Sequence, residues 1–79
     1  MMVARYDEDH DVMHLFFPPI EPAYDEEVEP GIFLAVAEPS GRVVEAAVLD
    51  FSRRDPAELR RVLPQEVDVD SLLARTHSR

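Results

Sequence analysis

The chain contains no cysteine and no lysine, only two glycines, and no uninterrupted apolar run longer than the six residues Ile32 to Ala37. Each shortage excludes something. Without cysteine there is neither a disulfide framework nor a thiolate metal site. Without lysine there is no Schiff-base chemistry and no phosphate-loop lysine, and all eight basic residues are arginine. Two glycines leave little material for an oxyanion hole or a nucleophile elbow, so Ser52, His14 and Asp50 have no frame in which to act as a hydrolytic triad. Six apolar residues do not span a bilayer. The first residues run directly into Arg5 and an acidic cluster, without the pattern of an export signal, and a cytoplasmic location is expected.

What is present is a chain of 79 residues, 46% hydrophobic and 32% charged, which fits one folded domain over residues 1–79. The pattern divides it into an antiparallel sheet over residues 1–53 and a helical segment over residues 54–79. A domain of this size buries only about 60–65% of the surface its unfolded chain exposes, so self-association into a homodimer is expected to supply the missing stability. The charge is unevenly placed. Residues 1–50 hold twelve acids and two arginines, residues 51–79 five acids and six arginines, and the net charge is −9. So acidic a body repels phosphate backbones and favours basic protein partners, which argues against nucleic-acid binding.

The most informative stretch is Gly31 to Phe51, two apolar runs joined by Glu38-Pro39-Ser40-Gly41-Arg42. Proline presets φ at the first turn position and Gly41 tolerates positive φ, so the spacing predicts a three-residue hairpin loop with a glycine bulge. Closed with Glu38 opposite Arg42, the hairpin sets Val36 against Val44, Leu34 against Ala46 and Ile32 against Val48. The other face then carries Phe33, Ala35 and Ala37 opposite Ala47, Glu45 and Val43, with Leu49 and Phe51 beyond. Both faces are apolar, so each needs a cover.

Ahead of the hairpin, Val3 to Tyr6 and Val12 to Phe17 alternate as strands, and Pro18, Pro19 and Pro22 end the second. Tyr24 to Val28 forms a segment with Asp25, Glu27 and Glu29 turned to water and Tyr24 and Val28 inward. Pro30-Gly31 is read as a bend in this third strand, giving a meander of about four strands. Behind the hairpin, Asp55-Pro56-Ala57-Glu58 is a helix start, with an N-cap acceptor, proline at the first position and glutamate three beyond the cap. Leu59, Val62 and Leu63 follow on one face and Pro64 closes the helix. Asp68 or Asp70 caps a second short helix carrying Val69, Leu72 and Leu73, and Thr76 to Arg79 are expected to fray. The fold class is α+β, with the helices packed on one face of the sheet.

Three patterns suggest chemistry. Asp7-x-Asp9-x-Asp11 copies the first ligand positions of a calcium loop, but Val12 and Pro18 stand where that loop needs glycine and a bidentate glutamate. His10 and His14 have zinc-chelating spacing only on a helix; in a strand they are roughly 13 Å apart. The residues Arg53, Arg54, Arg60 and Arg61 cluster about the helix start, where ion pairing with nearby acids is the expected role.

Tyr6-Asp7, Asp11 and the following Val12-Met13-His14-Leu15 resemble the Tyr-Asp-x-x-x-Asp-x-Leu-Tyr-Ile opening of domain-of-unknown-function family 2283, a family of small, mostly prokaryotic proteins. Glu26 to Leu34 is similar to its middle segment, and Gly41-Arg42-Val43-Val44 with Val48-Leu49-Asp50 to its closing hairpin. Met13 and His14 depart from the leucine and tyrosine that are commoner there, as does Ala35 from an acidic position. The resemblance covers residues 3 to 54. It implies a small antiparallel β-rich domain with no established activity and supplies no catalytic residues.

These readings converge on a non-enzymatic homo-oligomeric interaction domain without cofactors. Phe33, Val43, Ala47, Leu49, Phe51 and His14 are the expected interface. Asp25, Glu27 and Glu29 form an acidic face suited to a small basic partner in the manner of an antitoxin. The alternative is a divalent-metal module or metal-assisted enzyme built on Asp7, Asp9 and Asp11.

Overall fold

The computed structural model describes residues 1–38 and 40–77. Five strands form one antiparallel sheet: β1 (Val3–Asp7), β2 (Val12–Phe16), β3 (Ala23–Glu29), β4 (Ile32–Ala37) and β5 (Val43–Leu49). A 3-10 turn (Phe51–Arg53) and two helices, α1 (Pro56–Val62) and α2 (Val69–His77), follow. The strand order is β1-β2-β5-β4-β3, so the last strand in sequence is the middle strand in space. That position requires apolar side chains on both faces, which is the pattern of Ala46-Ala47-Val48-Leu49.

The sheet departs from a four-strand meander at two places. Pro30-Gly31 is a tight turn between two antiparallel strands, with Glu29 facing Ile32, instead of a bend in one strand. Proline followed by Gly31 at φ +81° is the pattern of a type II turn. The chain from β2 then passes β4 and β5 to reach the far edge, so β2 pairs with β5 and not with the strand that follows it. The crossing segment contains a cis Pro18–Pro19 peptide and is held by Arg42. The Arg42 guanidinium donates to the Phe17 carbonyl at 2.9 Å, to the Pro19 carbonyl, and to Glu21 at 2.8 and 3.1 Å.

The β4–β5 hairpin pairs as the sequence predicts away from its loop, with Ile32 facing Val48 and Leu34 facing Ala46. Near the loop it does not. The Gly41 amide donates to Ala37 O and the Ala37 amide to Arg42 O, which closes a four-residue loop instead of three. Gly41 has φ +76° there, and the role expected of Pro39 lies outside the described residues. The register then shifts between Ala35 and Val36, so that Val36 faces Val43 and not Val44. As a result Val44 packs with Ala35 and Ala37, while Val43 turns to the helix side against the main core.

That core lies between the inner face of the sheet and the helices. Met13, Leu15 and Phe17 along β2 and beyond, Ile32, Ala46 and Val48 meet Leu59, Leu63, Val67, Val69, Leu72 and Leu73. Burying each large side chain is worth about 1.5–3 kcal/mol, which docks helices too short to persist alone. Both helices start as expected: the Asp55 carboxylate accepts from the Ala57 amide at 3.0 Å, and that of Asp68 from the Ser71 amide at 3.2 Å. α2 continues through Thr76, whose hydroxyl donates to Leu73 O, in place of the expected fraying; Ser78 and Arg79 lie outside the described residues. Among the described residues no helix is long and apolar enough to cross a membrane.

Two further expectations are corrected here. Phe51 does not continue the outer stripe of β5: Asp50 takes φ +54°, the chain turns, and Phe51 is wholly buried in the core beside Tyr6. Tyr24, expected inward, remains 48% exposed because the helices do not extend over β3.

Arg54 joins the helical segment to the β3–β4 turn. Its guanidinium donates to Leu49 O at 2.8 Å and Pro30 O at 2.7 Å, pairs with Glu58 at 3.5 Å, and occupies the space where a side chain on Gly31 would go. Gly31→Ala therefore meets both a positive φ and a displaced Arg54, and should destabilise the fold by about 1–3 kcal/mol in urea denaturation.

Candidate functional site

The acidic turn is the pattern that the sequence singles out. Asp7 is occupied by its own turn: it accepts from the amides of Asp9 at 3.1 Å and His10 at 3.3 Å, and meets the His10 ring at 3.0 Å. The His10 bond holds the Asp7 pKa below the ordinary carboxylate value. Asp11 faces away from that turn. At φ +57° it accepts from the Tyr6 hydroxyl at 2.6 Å, the Ser52 amide at 3.0 Å and the Ser52 hydroxyl at 2.9 Å. The Arg53 guanidinium lies 3.8 Å away, and Asp11 O accepts the Phe51 amide. Burial pushes the Asp11 carboxyl up, but the bonds from Tyr6 and Ser52, with Arg53 beside them, outweigh it and leave its pKa lowered. The same bond raises the pKa of Tyr6. Asp7, Asp9 and Asp11 thus do not converge, and among the described residues no group of three or more His, Asp or Glu side chains is placed to hold a metal ion. Tyr6 and Asp11 form a latch between the first hairpin and the chain after β5.

A cleft of about 460 Å³ lies where the β4–β5 loop meets the end of α1, lined by Phe17, Val43, Val62 and Leu63 with Arg42 and Glu66. Its arginine already serves the Phe17 and Pro19 carbonyls and Glu21, so the cleft has no convergent polar set for chemistry.

The remaining feature is the outer face of the sheet. Partners in the register point to the same side, so its residues can be read across the strands. Arg5 faces His14, His14 faces Ala47, Ala47 faces Phe33, and Phe33 faces Glu27. The adjacent row is Val3, Phe16, Glu45, Ala35 and Asp25, and a third begins Asp7, Val12, Leu49. Val12, His14, Phe16, Phe33 and Ala47 are half-buried, and Leu49 and Val3 are 39% and 49% exposed. All the buried residues of both helices belong to the core on the opposite side, so no helix covers this face among the described residues. The side chains of Arg5, His14, Asp25 and Glu45 take no hydrogen bond or ion pair among the described residues.

The outer face contains four of the six residues expected at an interface: His14, Phe33, Ala47 and Leu49. Val43 and Phe51 are removed from it by the register shift and by the turn at Asp50. Of the acidic set, Asp25 and Glu27 flank the face along β3, while Glu29 lies beyond a register shift, opposite core-facing Ile32. Phe16 and Val12 were missed as members, although their alternation with Met13 and Leu15 marks them.

The profile of a family described as "Protein of unknown function (DUF2283)" matches residues 4–59, which extends past the sheet into α1. No curated protein and no solved structure matches the chain.

The latch has a measurable pH signature. The unfolded chain protonates Asp11 at a higher pH than the folded one, so its contribution is complete above the usual carboxylate value near ~4 and is lost as pH falls through the lowered folded value. Asp11→Asn should cost about 2–4 kcal/mol at neutral pH and flatten the fall of Tm on acidification below pH ~4. Calcium, magnesium, manganese or zinc at millimolar concentration should leave Tm unchanged in a thermal-shift assay.

Proposed function

The chain belongs to the DUF2283 family of proteins of unknown function, and on that premise we propose a non-enzymatic role in protein assembly, exercised through the outer face of the sheet. One observation carries this reading: the inner face is covered by the chain's own helices, whereas among the described residues no helix covers the outer face, where Val12, Phe16, Phe33 and Ala47 are half-buried and Leu49 is exposed and only Ala35, Ala37 and Val44 toward the β4–β5 loop are buried. A sheet with apolar residues on both sides is stabilised when the second side is also removed from water. A second copy of the chain meets that need with a surface of the same kind. The placement of the side chains supports a binding role over a catalytic one, since Asp7 and Asp11 serve the fold and Arg42, Arg53, Arg54 and Arg60 bind carbonyls or carboxylates of their own chain.

The exposed β3 edge, with Asp25 and Glu27 on the outer face, favours a second reading in which a small basic protein docks on the same side. Such a complex dissociates steeply with added salt, whereas an apolar self-association does not. Sedimentation equilibrium at 0.15 M salt should show a dimer of the wild-type chain at micromolar concentration. Phe33→Asp should weaken it more than about 100-fold while leaving the far-UV circular dichroism unchanged. A wild-type chain that stays monomeric at millimolar concentration would remove the self-assembly reading.

A further inference from the structure

The outer face carries Arg5 and Asp7 at its β1 edge and only acids, Asp25 and Glu27, at its β3 edge. Each row crosses from β1 to β3 with β5 at its centre, and Arg5 stands at the β1 end while Asp25 and Glu27 stand at the β3 end. Between them lie Phe16, Ala47, Phe33 and Ala35. Two sheets packed face to face lie about 10 Å apart with strands aligned to within about 30°. Two-fold symmetry then allows two simple arrangements. An axis perpendicular to the strands lays β1 on β1 and β3 on β3, which sets Asp25 and Glu27 of one copy against those of the other. An axis parallel to the strands exchanges the edges and lays β1 of each copy over β3 of the other. The first is repulsive along β3, whereas the second brings Arg5 of each copy to the acids of β3 of the other.

We propose that a second copy of this chain seats on the outer face with the two-fold axis running along β5, so that Arg5 of each copy lies over the acidic β3 edge of the other, within reach of Asp25 and Glu27. Phe16 then packs over Ala35 of the partner, His14 over its Phe33, and Ala47 over its own counterpart. Five strands spaced by about 4.8 Å, each five to seven residues long at about 3.3 Å per residue, give an outline of roughly 400–550 Å². Side-chain relief adds to that outline and brings it to the lower end of stable interfaces, about 600 Å² per partner. The arrangement makes a like-charge contact at its centre. Glu45 lies on β5 itself, so the two copies of Glu45 meet beside the axis. This inference rests on the self-assembly reading and adds to it which residues meet.

Sedimentation equilibrium of the full chain and its variants tests the arrangement. Arg5→Glu should weaken the dimer about three- to tenfold, and so should Asp25→Arg, chosen because Glu27 also holds the Gly31 amide. Combined in one chain, the two should return the dissociation constant to within about twofold of wild type, because the reversed charges face each other again. Arg61→Glu makes the same change in net charge on α1 and should leave the constant unchanged. Glu45→Gln should tighten the dimer about three- to tenfold by removing the contact at the axis. Losses that accumulate in the double variant, or a weaker dimer in Glu45→Gln, would overturn the axis along β5. If Phe33→Asp abolishes association while the Arg5, Asp25 and Glu45 variants behave as wild type, the outer face remains the interface and the proposed axis fails. If the wild type is a monomer, both fail together.

Discussion

The fold depends on the carboxylate of Asp11. It sits at the end of the first hairpin, in a left-handed backbone conformation, and receives the Tyr6 hydroxyl from β1 and both the amide and hydroxyl of Ser52 from beyond β5. Three donors on one charged acceptor are stronger than three neutral pairs, and they are partly shielded from water. Their effect is directional. By fixing Ser52 against the first hairpin, Asp11 determines where the chain leaves the sheet, and the turn at Asp50 then drives Phe51 into the inner core beside Tyr6. The helices follow Phe51 to that side. The outer face is left open for the same reason that the inner one is closed.

Arginine performs a related task at two other points. Arg42 holds the segment that crosses from β2 to β3, and Arg54 holds the start of α1 against the Pro30-Gly31 turn, both chiefly through backbone carbonyls. A planar guanidinium with several fixed donors can satisfy two or three carbonyls at once, which a lysine ammonium on a flexible stem does less well. In a domain without disulfides these side chains fasten segments that share few apolar contacts. For Arg42 and Arg54, arginine is thereby connected to the loops that must be held.

Much of the architecture was legible from the residues, and the failures have physical causes. Helix starts at Asp55-Pro56 and Asp68 were readable because caps are local. The distant half of the hairpin, Ile32 with Val48 and Leu34 with Ala46, was readable because apolar alternation fixes it. The near half failed because loop length depends on one backbone bond, Gly41 N to Ala37 O, and a single added residue reverses which of Val43 and Val44 faces the helices. Pro30-Gly31 is a turn signal in its own right, and treating it as a bend merged two strands. The order of the strands was not readable, since nothing local says that β2 waits for β5. Of the candidate face, His14, Phe33, Ala47 and Leu49 followed from alternation along single strands. Phe51 did not, because positive φ at an aspartate leaves almost no mark in the sequence.

The central place of β5 has a consequence for biosynthesis. The first hairpin is complete once β2 has left the ribosome, yet its inner neighbour is the strand that ends at Leu49. Until that strand emerges, β2 carries an open row of amides and carbonyls bordered by Phe16 and Met13. Within the β3–β4–β5 unit, by contrast, each strand pairs with its neighbour in sequence, and the unit can close as soon as it appears. The nascent chain therefore holds an unfinished hairpin in waiting, and the acids that crowd the turn from Asp7 to Asp11 keep that waiting ribbon charged and soluble until its partner strand arrives.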